Sequence, residues 1–456
     1  MRKYDLKIEK IPVAGEYDVI VVGGGTAGSF AAIAAAREGA ETMLIERLGC
    51  LGGTSTAAQV TPMMHVQIPG NPSSSYLDKE IREFMITKEY GACDRHGNNG
   101  WFNPEMLKYI LEKKYVEAGG QLRYDTEFVK TIRQGREVKG VVVHNKEGFQ
   151  QYLAEVLIDG TGDAALAYSA GVPCLKGRKQ DGKNQAVSLR FMLGNIDLKG
   201  FQSYLEEIGQ DVGLNYPLVE TAMVWGRGYP LEKLFRKGVE EGLLKEEDGN
   251  YFQAFSVPGM KGVMSFNCPE IPGITDALSV EELSNARVKG KEMIDRLYRF
   301  LREYCPGFEE SYILETAPMV GVRESRRIKG RYILSLEDYN NRSKFRDAVA
   351  RTAYPIDVHG LSEDRLEVKH MKKGEYLEIP YRALLPQGVE NMLVVGRSIS
   401  STFIAQSAVR IQPTCRATGE AAGLAAVLAV EEEVKPSVLS GERIREKMAS
   451  EGAELK

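Results

Sequence analysis

Gly23, Gly25 and Gly28 stand in the order Gly-x-Gly-x-x-Gly, with Gly24, Thr26 and Ala27 between them. A β-branched apolar run, Tyr17–Val22, precedes them, and an alanine-rich segment, Ser29–Glu38, follows and ends at Gly39. Glu41–Glu46 then reads as a second strand. The chemistry this spacing serves is the holding of a pyrophosphate. Gly23 allows a tight turn, Gly25 lets backbone close on phosphate oxygens, and Gly28 lets the helix pack on the strand. The helix start adds free N–H groups and a partial positive charge. Glu46, followed by Arg47, closes the second strand where a carboxylate takes ribose hydroxyls. A bare strand–helix turn without ligand is the competing reading, and the acid at Glu46 weighs against it.

Other residues suit binding and proton transfer. Arg323, Arg326 and Arg327 form a dense basic set, and an arginine fixes a carboxylate through two parallel hydrogen bonds. Helical spacing would put Arg323 and Arg326 on one face; ion pairs with Glu324 or a domain interface would use them structurally instead. His359 lies in the loop Tyr354-Pro355-Ile356-Asp357-Val358-His359-Gly360. An imidazole suits proton transfer near neutral pH, with a satisfied structural histidine as the alternative. Tyr381 and Arg410 are further candidates of the same kind. No second glycine fingerprint is present: Gly226-x-Gly228 lacks the third glycine and the preceding strand, so no separate nicotinamide domain is expected.

These residues need elements to position them. The 456 residues suggest two or three units, and 43% hydrophobic with 27% charged residues suits an ordinary globular chain. The 59 basic residues against 63 acidic ones leave no excess to neutralise phosphates, so nucleic acid is not an expected partner. Six dispersed cysteines exclude CxxC devices and an iron–sulfur run within the chain, and suit a reducing compartment. The charged first ten residues lead into no apolar segment of a signal peptide, and no apolar run approaches the ~20 residues of a membrane span. A cytoplasmic protein that does not engage a membrane is the expectation. Helices are expected over 76–90 and 103–118, the latter with Asn103-Pro104 as its start. Three strands should fill 121–158 and run into Asp159-Gly160-Thr161-Gly162-Asp163. Residues 176–354 change to a Lys-, Glu- and Tyr-rich texture with helices near 198–208, 231–243 and 280–303. Met392–Val395 reads as a buried strand ending at Gly396, and 413–430 as an Ala- and Gly-rich helix.

Three further stretches carry a resemblance: Gly49-Cys50-Leu51-Gly52-Gly53-Thr54, Ile158–Asp163, and Asn391–Arg397 with the Gly419/Gly423 helix. With them the chain resembles FAD-binding proteins of the glutathione-reductase-like (GR2-type) fold. Through Gly321–Ile328, Tyr354–Gly360, Ile379–Leu384 and residues 393–423 it more narrowly resembles the FAD-dependent oxidoreductase family. The resemblance covers about 15–175 and 315–430. It implies an α/β protein: a Rossmann-like, three-layer FAD-binding domain from residues 1–175 and 355–456, the second part ending in a helix, with an inserted α+β substrate or cap domain at 176–354. Gly52, Gly53 and Thr54 would follow the phosphates and ribityl, Thr161, Gly162 and Asp163 would sit beside the glycine turn, and Gly396 would approach the ribityl. Many relatives have Asp after that glycine; here Arg397 stands near phosphate or ribityl. The helix near Pro413-Thr414 would face the flavin pyrimidine and favour the negative charge that reduction leaves there. Disulfide reductases of the fold place a second cysteine five residues after the position of Cys50; here it is Ser55, so a packed thiol is expected. His65 could reach the flavin face or carry a covalent flavin link. The implied function is two-electron (hydride) oxidation or reduction of a small organic substrate, carboxylate-bearing if the arginines bind it, with transient NAD(P)H or an electron-transfer protein as electron partner. A homodimer would be unsurprising. The alternatives are a flavin monooxygenase, or an FAD-binding electron-transfer subunit with an iron–sulfur partner.

Overall fold

The structure, a computed structural model, describes residues 10–64, 74–210, 217–360 and 367–455. The strand Val13–Val22 lies at the middle of a seven-stranded sheet. It pairs in parallel with Thr42–Ile45 on one side and with Gly148–Asp159 on the other. Gln121–Arg123 extends the parallel part beyond Thr42–Ile45, and Met392–Val394 pairs in parallel with the end of Gly148–Asp159. The segment expected to hold three strands therefore holds four: Gln121–Arg123 joins the parallel sheet, while Glu127–Gln134, Glu137–Asn145 and Gly148–Asp159 form an antiparallel meander.

Three layers follow from the residue alternation. Val19 and Val21 join a core shared with the helices Gly28–Arg37, Pro104–Glu117 and Gln412–Glu431. Ile20 and Val22 join a second core with Val138, Val141 and Val143 of the meander. A strand covered on both faces must be apolar on both, which is why Val19–Val22 is uninterrupted. Asn103 caps the helix Pro104–Glu117 through the N–H groups of Glu105 and Met106, as its sequence predicts.

The other unit is a five-stranded antiparallel sheet, in the spatial order Glu220–Met223, Phe252–Ser256, Met264–Phe266, Phe191–Gly194, Tyr312–Thr316. The helix Val280–Tyr304 packs into the same core. Across two neighbouring strands of this sheet Phe191 stacks on its paired residue Phe266, ring centroids 4.6 Å apart. This core runs from Val187 to Val322, not to residue 354. Leu334, Tyr339, Val349 and Ala350 pack with the helices of the first unit, and Arg326–Ile328 pairs with Cys174–Lys176. The chain returns to the first unit some thirty residues before its composition changes. Among the described residues no helix is long and apolar enough to cross a membrane.

Candidate cofactor cradle and substrate crevice

The glycine turn is built as the spacing requires. Gly23 has φ +91°, and a Cβ there would come within 2.7 Å of the Gly160 and Thr161 backbone. A Cβ on Gly28 would overlap the Gly23 carbonyl. Gly25 differs: its Cβ would meet only the Gly160 carbonyl oxygen, 3.7 Å away, so its outer side is open. Gly52-Gly53-Thr54 folds against this turn. Gly52 N–H donates to the Gly24 carbonyl (2.9 Å), Thr26 Oγ1 donates to the Gly52 carbonyl (2.9 Å), and Thr26 Oγ1 lies 2.9 Å from Thr54 Oγ1. Glu46 accepts the Gly24 N–H on Oε2 (2.7 Å) and the Leu48 N–H on Oε1 (2.8 Å). Burial pushes its carboxyl up, and each oxygen keeps a free lone pair. Arg47 is exposed beside it. The open side at Gly25 and the remaining acceptors of Glu46 fit the pyrophosphate and ribose of FAD.

The other end of the cradle comes from the far end of the chain. Gly396, at φ +71°, leaves room beside Ala27; a Cβ there would come within 3.0 Å of the Ala27 Cβ. On the helix Gln412–Glu431, side chains at Gly419 and Gly423 would overlap the Ala27 and Ala31 carbonyl oxygens. Glycine at these positions brings the late helix onto the first one. The late helix has no side-chain cap and carries Pro413 in its first turn. Thr414, the third residue of the helix, has a buried hydroxyl with no hydrogen-bond partner among the described residues. Gln412 is anchored instead, donating to the Val60 carbonyl (2.6 Å) and accepting from Ser55 Oγ (2.9 Å). An uncapped helix start with an orphaned buried hydroxyl calls for a polar edge from outside the chain, and the carbonyl-bearing ring of a flavin fits it.

Thr161, Gly162, Asp163 and Arg397 form a brace. Thr161 Oγ1 donates to Asp159 Oδ1 (2.7 Å) and accepts the Ala165 N–H (2.9 Å). Arg397 donates to the carbonyls of Gly162 and Val322 (2.5 Å each) and pairs with Asp163 (2.8 Å). All three of its guanidinium nitrogens are thus bound by the chain itself. The structure gives Arg397 a role in tying the Gly160 loop to the end of the cap rather than a free phosphate contact.

Beyond the late helix start, charged groups from both units converge. His359 places Nδ1 2.9 Å from Glu270 Oε2 and Nε2 3.2 Å from the Asp357 carboxylate. Arg410 donates to the backbone oxygen (2.9 Å) and the side chain (3.2 Å) of Asp357, and the Tyr354 hydroxyl donates to that carboxylate at 3.3 Å. Arg323 lies 3.8 Å from Glu270 Oε2 and donates to the Ala186 carbonyl (2.7 Å). Tyr251 meets the imidazole edge-on, ring centroids 5.3 Å apart. Burial alone would push the Asp357 carboxyl up, but the His359 bond and the Arg410 and Arg323 charges outweigh it and hold it well below the usual range. Glu270 is likewise held low by His359 and Arg323 against burial. Burial pushes the Tyr251 hydroxyl up to about 12. The two hydrogen bonds to ionised carboxylates are made together only when both ring nitrogens carry hydrogens. Both ring nitrogens thus face a carboxylate oxygen across the boundary of the two units.

Glu270 comes from the cap and His359, Asp357 and Arg410 from the FAD side, so the cluster bridges the two units. Gln185 Nε2 to Gln406 Oε1 (3.2 Å) and Gln406 Nε2 to the Arg323 carbonyl (3.0 Å) hold the same boundary. Of the residues expected to serve the chemistry, His359, Arg323 and Arg410 are brought together. Arg326 and Tyr381 are not. No helix forms over 323–326; Arg326 begins a strand, stacks on the Tyr168 ring at 4.1 Å and donates to the Asp163 carbonyl. Tyr381 is buried, with its hydroxyl committed to the Pro436 carbonyl (2.9 Å). Arg327 is buried with Glu324 as an ion pair. Cys50 is half-buried with its thiol pushed up by burial. His65 lies outside the described residues. Glu270, Tyr251 and Gln412 had no sequence signal, since their roles depend on contacts across the chain; Asp357, two residues from His359, could have been paired with it. Among the described residues no cluster of His, Cys, Asp and Glu is arranged to hold a metal ion.

The layered sheet, the glycine turn and the helix start together define a dinucleotide-binding flavoprotein. Residues 18–448 match the family model described as FAD dependent oxidoreductase. The chain belongs to that family; it is an enzyme of this class, and FAD is its cofactor. Over 168 residues it is 26% identical to digeranylgeranylglycerophospholipid reductase 1 of Methanopyrus kandleri, covering 34% of this chain and 43% of that one. Over 145 residues it is 31% identical to protein FixC of Escherichia coli K12, covering 27% of this chain and 32% of that protein. The chain thus matches less than half the length of these curated relatives. A solved geranylgeranyl bacteriochlorophyll reductase-like protein from Thermoplasma acidophilum aligns over 96% of this chain and 84% of its own, with a TM-score of 0.48 and 14% identity.

Proposed function

We propose that the protein carries out two-electron oxidation or reduction of a small, carboxylate-bearing organic molecule in the crevice between its two units. The observation that carries this reading is His359, held between Glu270 and Asp357 beside Arg323 and Arg410. FAD supplies the electron transfer. Gly23, Gly25, Gly28 and Glu46 would hold its adenosine and pyrophosphate, and Gly396 and Thr414 the flavin end. His359 gives or takes the proton that accompanies the two electrons, from the nitrogen that its carboxylate partner frees. Arg323 sits at the same cluster and, through Glu270, positions the imidazole. Packing of the cap against the Gly52–Thr61 loop excludes water. The reductase relative from Methanopyrus supports the reducing direction. Electrons would arrive from NAD(P)H bound transiently or from an electron-transfer protein, and the enzyme would work as a homodimer.

The test is anaerobic reduction of the FAD-loaded protein by NADH and NADPH, followed by turnover with candidate oxidised carboxylic acids. His359→Ala should keep its FAD and lose turnover by about 10²–10⁴-fold, the range for removing a general acid. Unchanged turnover would take His359 out of the mechanism.

A further inference from the structure

Among the described residues, no carboxylate pairs with the buried guanidinium of Arg190. It is 2% exposed and stands between the short strand Val187–Ser188 and the cap strand Phe191–Gly194. Nε donates to the Phe266 carbonyl (3.2 Å), and Nη2 to the Thr61 carbonyl (3.0 Å) and Ser265 Oγ (3.3 Å). Among the described residues these are the hydrogen bonds Arg190 makes, none from Nη1 and none to a carboxylate. Every other arginine of the crevice has one: Arg323 has Glu270 and Arg410 has Asp357. Burial lowers the Arg190 guanidinium to about 10, with the Arg323 charge adding to the effect, so it remains charged at neutral pH. A buried charge with only neutral partners is costly.

Its surroundings tie it to the crevice. The Thr61 carbonyl belongs to the loop that follows Gly52-Gly53-Thr54, so Arg190 joins the cap to the cradle. Tyr251, edge-on to His359, lies in the fields of Arg190, Arg323 and Asp357 together. Ser188 is directly opposite Glu270 in the paired strands, and its buried hydroxyl also lacks a partner. Opposed residues of an antiparallel pair project to one face, so this unused hydroxyl shares a face with the carboxylate that holds His359.

We infer that Arg190, two residues along the chain from the unpartnered Ser188 hydroxyl, is the anchor for the substrate's carboxylate, set on the cap across from His359. This rests on the reading of the crevice as the reaction site and makes it specific: the carboxylate is held by the cap, at Arg190. Arg323, already engaged by Glu270, is then a positioning residue for the histidine cluster.

The test is calorimetric titration of the FAD-loaded full chain, in low-chloride buffer, with benzoate, acetate and the neutral benzyl alcohol. Benzoate or acetate should bind saturably, and benzyl alcohol at least about tenfold more weakly than benzoate, as loss of a charge-assisted bond predicts. Arg190→Gln should weaken carboxylate binding about tenfold or more, and Arg190→Lys should retain part of it. Lack of saturable binding by both carboxylates, or equal binding of benzoate and benzyl alcohol, overturns the proposal on the unaltered protein alone, whatever the variants' folding. Carboxylate binding unchanged in Arg190→Gln also overturns it; a shifted flavin midpoint potential in that variant would assign the charge to the flavin instead. If His359→Ala meanwhile keeps FAD and loses turnover, only the anchor falls and the reaction site stands. Full turnover in His359→Ala would instead bring down the site reading itself.

Discussion

At the residue scale, His359 is held by two carboxylates, Glu270 and Asp357. Glu270 and Asp357 differ in origin, one from the cap and one from the loop of the histidine itself. Glu270→Gln replaces an ionised acceptor with a neutral amide while leaving the chain trace intact. It should lower kcat by about tenfold or more, the scale of one charge-assisted hydrogen bond, with FAD content unchanged and the pH–rate profile displaced. Steady-state rates across pH check this; an unshifted profile would mean that Glu270 only packs. His359 was legible as a candidate from its loop, since imidazole is the side chain suited to this work. Arg326 and Tyr381 were equally eligible by type and were removed only by partners a linear reading cannot supply: the Tyr168 ring and the Pro436 carbonyl.

At the element scale, the contact between the first and late helices decides whether the cradle exists. Gly419 faces the Ala27 carbonyl so closely that a methyl would overlap it. Gly419→Ala should destabilise the protein by about 1–3 kcal/mol, the cost of overpacking, and weaken FAD retention because Ala27 belongs to the glycine turn. Thermal melts with and without FAD measure both effects. The same late helix carries Glu420, bonded by the Ser75 hydroxyl and the Leu77 N–H, with its carboxyl pushed up to about 7 by burial. Because the folded value lies above the unfolded one, its stabilising contribution is complete below the unfolded carboxylate range and is lost as pH rises through about 7. Melting temperature should therefore fall between about pH 5 and about pH 8, and Glu420→Gln should flatten that part of the profile; an identical slope in the variant would contradict it. The glycines of these elements were legible in the sequence because close approach leaves no substitute. The strand count of 121–158 was not, since Gln121–Arg123 is defined by its partner Thr42–Ile45 rather than by its own three residues.

At the scale of the whole molecule, the cradle draws on both ends of the chain and the crevice on both units. Gly23–Gly28, Gly52–Thr54, Gly396 and Thr414 must all be in place before FAD is held. FAD should then stabilise the fold as a unit, by about 2.7 kcal/mol at a free concentration a hundred times its dissociation constant, seen as a melting temperature that rises with added FAD. A melt insensitive to FAD would mean the two ends do not meet around it. The FAD-binding architecture was readable because each motif imposes a backbone shape. The cap boundary was not: residues 323–354 carry the composition of the insertion but the apolar contacts of the first unit. Nor did anything in the chain mark Arg190 or Glu270, whose significance lies in what faces them.

The most direct measurement is the visible absorbance spectrum of the purified protein beside that of Gly25→Val. The cradle at Gly25 is open to the cofactor and to little of the chain, with the nearest atom to an added Cβ 3.7 Å away. The unaltered protein should show a flavin spectrum and release FAD on denaturation, and the variant should be folded but colourless. A colourless unaltered protein that FAD does not reconstitute, or a Gly25→Val variant with full flavin content, would contradict this.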